Sequence, residues 1–224
     1  MLTAQGRRYL AAVRPGLEAL RAAHRGVAQA RGPLEVACAS GLAVTWLAPR
    51  LGGFLRGCPD VSLTLRSIAA EDPRAQADLT ITFGPRPGPE AVHLLDVAFF
   101  PVAQPAFYEA EGRPAPGDLT PGMLLHLNNR DDWAGWLRAA GAEAQAASGG
   151  VRFQGLLAMY AAAEAGLGLC LGDSLTCGAA LRAGRLIRPY AAEVRVPAGY
   201  WALPAAGGLT APAAAFLDWI RREL

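Results

Sequence analysis

Lysine is missing altogether: the 21 basic residues of this 224-residue chain are all arginine. Against them stand 19 acidic residues, leaving a formal net charge of only +2. Modules that read nucleic acid carry a basic stripe and a more lopsided balance, so direct DNA binding by this stretch is not expected. Cysteine is scarce too. Cys38, Cys58, Cys170 and Cys177 show no C-x-x-C spacing and no histidine at zinc-ligand distance, which leaves no metal motif. They read as small buried hydrophobes in a reducing compartment. No apolar run reaches the roughly 18 residues of a membrane span. Residues 1–10 hold Arg7 and Arg8 but no apolar stretch of signal-peptide length. A cytoplasmic protein with no membrane partner is expected. With 52% hydrophobic and 18% charged residues the chain reads as globular.

What is present is enough chain for one large domain or two small lobes. Residues 3–30 read as one long helix. Thr3 can cap it, and Leu10, Val13, Leu17 and Leu20 recur at three- and four-residue steps around an interrupting Pro15. Gly32-Pro33 marks a boundary. Beyond it strands and helices alternate. Strands are expected over residues 34–39, 61–66, 77–83, 97–103, 123–127, 168–171 and 199–203, and helices over 43–56, 131–140, 154–164 and 211–224. Trp46, Leu47, Leu51, Phe54 and Leu55 stripe the first of these helices. Phe216, Trp219 and Ile220 mark the inner face of the last, with Pro212 in its first turn. This alternation defines an α/β protein with a parallel or mixed sheet.

Motifs for chemistry are thin. Gly172-Asp173-Ser174-Leu175 spells a lipase-type sequence, but a serine nucleophile needs a histidine base, and that motif's families place the histidine near the chain end. Here the last histidine is His126. A strand followed by a helix cap, with Asp173 or Ser174 capping, explains the segment without catalysis. Gly166-Leu167-Gly168 with Gly172 has the order helix, turn, strand, the reverse of a dinucleotide fingerprint. Arg130, Asp131 and Asp132 could form an acid–base group, although acidic residues also favour a helix start. His24, His93 and His126 are isolated from one another. His126 interrupts an apolar strand as either a hydrogen-bonded core residue or a ligand contact.

An ordered set of segments carries a resemblance. Leu2-Thr3-Ala4-Gln5-Gly6-Arg7-Arg8-Tyr9-Leu10 has the form L-T-x-x-G-R-x-x-L. Trp46-Leu47-Ala48-Pro49-Arg50-Leu51, Phe54 and Pro59-Asp60-Val61 follow, then Ala77-Asp78-Leu79-Thr80-Ile81 with Gly84, and Leu94-Leu95-Asp96 before Pro101-Val102-Ala103. Leu124-Leu125-His126, Asp132-Trp133 with Trp136-Leu137, Ala165-Gly166-Leu167-Gly168, residues 181–189 and Phe216-Leu217-Asp218-Trp219 complete the order. Together they resemble the linker helix and effector-binding domain of LysR-type transcriptional regulators, in the subgroup related to glycine-cleavage and β-lactamase activators. Two departures stand out: residues 67–76 are shorter than usual, and Thr82 replaces the family's usual arginine.

The resemblance implies a two-lobed α/β fold of the type II periplasmic-binding-protein kind, hinged on two crossover strands. Residues 1–31 would be a wing remnant and linker helix. Residues 32–224 would be the effector-binding domain, with lobe I over 32–98 and 205–224 and lobe II over 99–204. The implied role is that of a non-enzymatic sensor without cofactor. It would bind a small-molecule co-inducer and act on transcription through a winged helix-turn-helix that this sequence does not contain. A dimer or tetramer is implied, pairing a helix that exposes Trp46, Arg50 and Phe54 with residues 154–164 of a second copy. A transport receptor of the same fold and a DNA-free antagonist of full-length regulators are the alternative readings.

Site residues follow from a rule of open α/β sheets: ligands bind beyond the carboxyl ends of strands, where helices begin. Ser40, Gly41 and Leu42 stand at such a turn. Ser67, Thr82 and Phe83 end neighbouring strands, and His126, Asn128 and Phe153 take comparable places across the cleft. The expected ligand is a carboxylate or amino-acid-like molecule, its acidic group at the amides of residues 40–42 and its other end at His126 and Asn128.

Overall fold

The structure, a computed structural model, describes residues 30–69 and 76–224. The helix expected over residues 3–30, and all but the last two residues assigned to the wing and linker, lie outside the described residues.

Eight strands form one curled mixed sheet: β1 (Gly32–Ala39), β2 (Val61–Ile68), β3 (Leu79–Gly84), β4 (Val92–Val102), β5 (Leu124–Leu127), β6 (Val151–Phe153), β7 (Leu169–Gly172) and β8 (Val194–Pro204). Their order is β2-β1-β3-β8-β4-β7-β5-β6. β1 runs parallel to β2 and β3, and β5 runs parallel to β6 and β7, while β8 is antiparallel to both β3 and β4. The apolar runs of β1 and β7 are nearly continuous because both of their faces are covered.

β4 joins the two halves of the sheet. Its residues from Val92 to Phe99 pair with β8, and Phe100 to Val102 pair with β7. β4 and β8 begin at Val92 and Val194, earlier than the expected 97 and 199. Their first halves contain His93, Asp96, Arg195 and Pro197, which lower their local strand signal. Register shifts between His93 and Leu95 and between Asp96 and Ala98 re-aim β4 before it enters the second half. Gly199 lies against this stretch: a Cβ there would sit 2.6 Å from the Leu95 carbonyl oxygen.

The helical segment over residues 40–57, α1, begins at Ser40 and is not uniform. An α-turn at Ser40–Leu42 widens to a π-turn at Ala43–Leu47, tightens to a 3-10 turn at Ala48–Arg50 and returns to α over Leu51–Gly57. Pro49 has no N–H and its ring crowds the preceding turn, so the regular ladder cannot continue through it. Two side chains bond carbonyls of the segment: Thr45 Oγ1 donates to Gly41 O at 2.8 Å, and Arg50 donates to Trp46 O at 2.8 Å. The placement of Trp46 and Phe54 on an exposed pairing surface is corrected here. Both are buried, because the stripe they share with Leu47 turns inward onto the sheet. Arg50 stacks over Trp46 at 4.8 Å. The exposed apolar residues of α1 are Val44 and Leu55.

The remaining α-helices are α2 (Pro105–Ala110), α3 (Asp131–Ala139), α4 (Leu156–Glu164), α5 (Gly178–Arg182) and α6 (Ala211–Glu223). Thr210 caps α6 by accepting from Ala213 N, and Pro212 occupies its first turn. Phe216 and Trp219 of α6 close on Phe54, with Phe54 and Phe216 edge to face at 5.0 Å. This aromatic group and Leu34, Val36, Leu79 and Ile81 form the core of the first half. In the second half Trp133 and Trp136 pack edge to face at 5.6 Å among Leu119, Leu124, Leu137 and Leu169. A second cluster, with Phe100, Val102, Met159 and Tyr160, faces the join.

Candidate ligand-binding cavity

A cavity of about 250 Å³ lies where the strand ends of the two halves meet. From the first half come Ser40, Gly41 and Leu42 after β1, Phe83 at the end of β3, and Tyr200 on β8. From the second come Leu125, Leu127 and Asn128 of the β5 end, Leu156, Met159 and Tyr160 of α4, and Asp173 just beyond β7. Phe99 lines it at the point where β4 changes partners. The size suits a small metabolite.

Five of the nine expected residues line this space: Ser40, Gly41, Leu42, Phe83 and Asn128. Thr82, His126, Ser67 and Phe153 do not. The reason for the first two is strand alternation. Phe83 faces the cavity, so Thr82 points to the other side, where it is buried. Leu125 and Leu127 face the cavity, so His126 between them points away. There its Nε2 lies 2.6 Å from the Gly149 carbonyl oxygen. A carbonyl only accepts, so Nε2 carries the proton, and the buried Nδ1 has no partner among the described residues. Burial lowers the His126 pKa; the Gly149 hydrogen bond opposes that and the charge of Arg130 adds to it. His126 is thus buried in the core and lies outside the lining of this cavity. Ser67 is exposed on the outermost strand. Phe153 packs partly buried against the second-half core.

The sequence reading missed the polar centre of the cavity. Asp173 is only 5% exposed. One oxygen, Oδ1, accepts from Leu175 N at 2.8 Å and Thr176 N at 3.0 Å. The other, Oδ2, accepts the Thr176 hydroxyl. That uses the hydroxyl's only proton, so the Tyr160 phenol, 2.7 Å from Thr176 Oγ1, donates to it. A relay thus runs from Tyr160 through Thr176 to Asp173. Burial raises the Asp173 pKa, with the bonds from Thr176 and Leu175 opposing. Burial and then the Asp173 charge push the phenols of Tyr160 and Tyr200 up. Asp132, also in the lining, is raised by burial and by neighbouring Asp131. Asp173 holds the turn after β7 and caps no helix: α5 begins after Cys177 without a side-chain cap, and Ser174 is exposed. Leu156, Met159 and Tyr160 recur at three- and four-residue steps, a helical face that could have flagged Tyr160. Nothing in the local sequence places Tyr200 opposite it.

Among the described residues no group of three or more His, Cys, Asp or Glu could hold a metal ion, and no helix is long and apolar enough to cross a membrane.

A mixed sheet divided into two halves by two shared strands, with a cavity at the strand ends between them, defines a two-lobed ligand-binding domain of the periplasmic-binding-protein type. The chain belongs to the family of the LysR substrate binding domain, which matches residues 28–224. It is 26% identical over 198 residues to the glycine cleavage system transcriptional activator of Escherichia coli K12, covering 85% of this chain and 65% of that protein. It is 32% identical over 200 residues to the HTH-type transcriptional activator AmpR of Citrobacter koseri, covering 85% and 67%. The effector domain of the AmpR regulator of Pseudomonas aeruginosa superposes with a TM-score of 0.76 at 29% identity, covering 86% of this chain and 95% of that one. This chain thus spans slightly less than two-thirds of the length of the glycine-cleavage activator, and these relatives are transcriptional regulators.

Proposed function

We propose that this domain senses a small molecule in the cavity between its halves and passes the binding event to transcription through a DNA-binding module. The carrying observation is that the lining comes from both halves of the sheet, so a bound molecule touches Ser40 and Phe83 on one side and Asn128, Tyr160 and Asp173 on the other. A ligand that binds one arrangement of the halves better than another shifts the population toward it. β4 and β8, shared by both halves, are the elements that flex, and the lobe limits are those of the two strands. Self-association, as in a two-fold dimer, supplies the geometry for acting on two DNA half-sites. No catalytic role is assigned: Ser174 is exposed, and Asp173 is engaged in the turn.

The test is a thermal-shift screen of the protein against central metabolites of both charges, repeated with Ser40→Trp. The indole fills the cavity from its rim. A compound that raises the wild-type melting temperature should have no effect on the variant. A stabilising compound that acts equally on both places the sensing site elsewhere.

A further inference from the structure

The cavity has a charge character that the choice of ligand must respect. Asp132 and Asp173 line it, and among the described residues no arginine or histidine does. Among the described residues, a plain carboxylate entering this space meets two carboxylates and no cation.

Asp173 is the more deeply set of the two and its orientation is fixed. A carboxylate offers about four lone-pair positions, two on each oxygen. Leu175 N and Thr176 N take both positions on Oδ1, and the Thr176 hydroxyl takes one on Oδ2. One acceptor position on Oδ2 remains on a residue that lines the cavity. The bond from Tyr160 to Thr176 holds the hydroxyl in place, so the carboxylate cannot turn away. Among the described residues Asp173 has no ion-pair partner. A buried carboxylate without a cation is unfavourable unless a charge of opposite sign arrives.

The walls beside it are aromatic. Phe83 packs at a tilt against Tyr200 with ring centroids 5.2 Å apart and against Phe99 at 6.0 Å, and all three residues line the cavity. Aromatic faces attract a cation electrostatically and cover the carbon skeleton behind it. A buried carboxylate with an open acceptor position, beside three such rings, is the combination that selects an organic ammonium ion.

Resting on the reading of this cavity as the sensing site, we infer that its ligand presents a primary or secondary ammonium group to Oδ2 of Asp173, with Phe83, Phe99 and Tyr200 covering the adjoining carbons. An amine or an amino-acid-like zwitterion meets this requirement, and a simple carboxylate does not.

The experiment uses two probes matched in size and opposite in charge, 2-phenylethylammonium and 3-phenylpropanoate, titrated calorimetrically into the full chain at neutral pH. The ammonium ion should bind at least about tenfold more tightly than the anion, and Asp173→Asn should weaken it by roughly thirtyfold, the loss expected when one member of a buried charge pair is neutralised. Asn keeps an oxygen for Leu175 N and Thr176 N, and circular dichroism establishes that the variant is folded. If it is not, the charge preference of the wild type decides alone. Equal or preferential binding of the anion overturns the inference. So does ammonium affinity unchanged in Asp173→Asn, or no ammonium binding up to about 10 mM, a concentration weaker than any useful contact. Ser40→Trp separates the two levels. An anion that it blocks leaves the cavity as the sensing site and removes only the ammonium assignment. A probe of either charge that it does not block removes the cavity itself.

Discussion

Gly41 and Leu156 meet across the cavity mouth so closely that a Cβ on Gly41 would lie 2.3 Å from Cδ2 of Leu156. One residue follows β1 in the first half and the other opens α4 in the second. Their contact is a point where the two halves touch at the rim of the binding space. Gly41→Ala must displace the Leu156 tip, and a flexible side-chain end can move. The single substitution should therefore destabilise by about 1 kcal/mol, at the low end for an overpacked site. Leu156→Ala should remove the clash, so the double variant should be more stable than the sum of the two single effects by at least about 0.5 kcal/mol. Urea denaturation of the four proteins measures the coupling. Strict additivity would mean that the halves do not bear on each other there.

The relay from Tyr160 to Asp173 predicts an order of effects. Tyr160→Phe removes one donor to Thr176 and should cost about 1 kcal/mol. Thr176→Val removes both bonds and leaves a buried phenol and a buried carboxylate oxygen without partners, so it should cost about 2–4 kcal/mol. Equal effects in chemical denaturation would contradict a relay that runs through Thr176.

Much of the architecture could be read from apolar periodicity, and the misreadings have separate physical origins. Strand and helix patterns located β1, β2, β3, β5 and β7 and the inner face of α6, because burial on a covered sheet writes itself into the sequence. The first halves of β4 and β8 were not assigned as strands because His93, Asp96, Arg195 and Pro197 interrupt their apolar positions, although Leu94-Leu95-Asp96 entered through the family resemblance. Three residues, Thr82, His126 and Phe83, show the limit for the site. Knowing that a strand ends near the cleft does not say which parity faces it, and one step along β3 or β5 reverses the side chain. Asp173 was read as a candidate helix cap, and its burial depends on Tyr160 and Tyr200, brought from a helix and a strand that local pattern cannot connect.

Asp173 also sets a pH effect in the ligand-free protein. Its folded-state pKa lies above the ordinary 3.8, because burial disfavours the charge. As pH rises from 3.8 through the folded pKa, the unfolded chain gives up the proton first and wild-type stability falls. Above that window the loss is complete and constant. Asp173→Asn has no proton to lose, so the stability difference, wild type minus variant, should decrease with rising pH across this interval and then level off. Melting temperatures of both proteins from pH 3.5 to neutral, roughly the span set by ordinary carboxylates, give the difference curve. A difference that grows with pH would show that the hydrogen bonds to Asp173 outweigh its burial.

His126 sets an effect of opposite sign. Its folded-state pKa is below the ordinary 6.5, chiefly because the ring is buried. Above pH 6.5 the imidazole is neutral in both states and adds no pH dependence. Below 6.5 the unfolded chain takes up a proton that the folded site resists, so stability is lost as the pH falls toward the folded pKa, by at most about 1.4 kcal/mol per pH unit. His126→Gln retains an N–H that can reach the Gly149 carbonyl and has nothing to protonate. It should be less stable than wild type near pH 7.5, because the imidazole fills its site better, yet should lose less stability than wild type on acidification below 6.5. Asp132 and Asp173 titrate alike in both proteins, so the comparison isolates residue 126. Urea midpoints at closely spaced pH values provide the measurement. Parallel curves below pH 6.5 would mean that the unpartnered Nδ1 accepts a proton in the folded state as readily as in the unfolded chain.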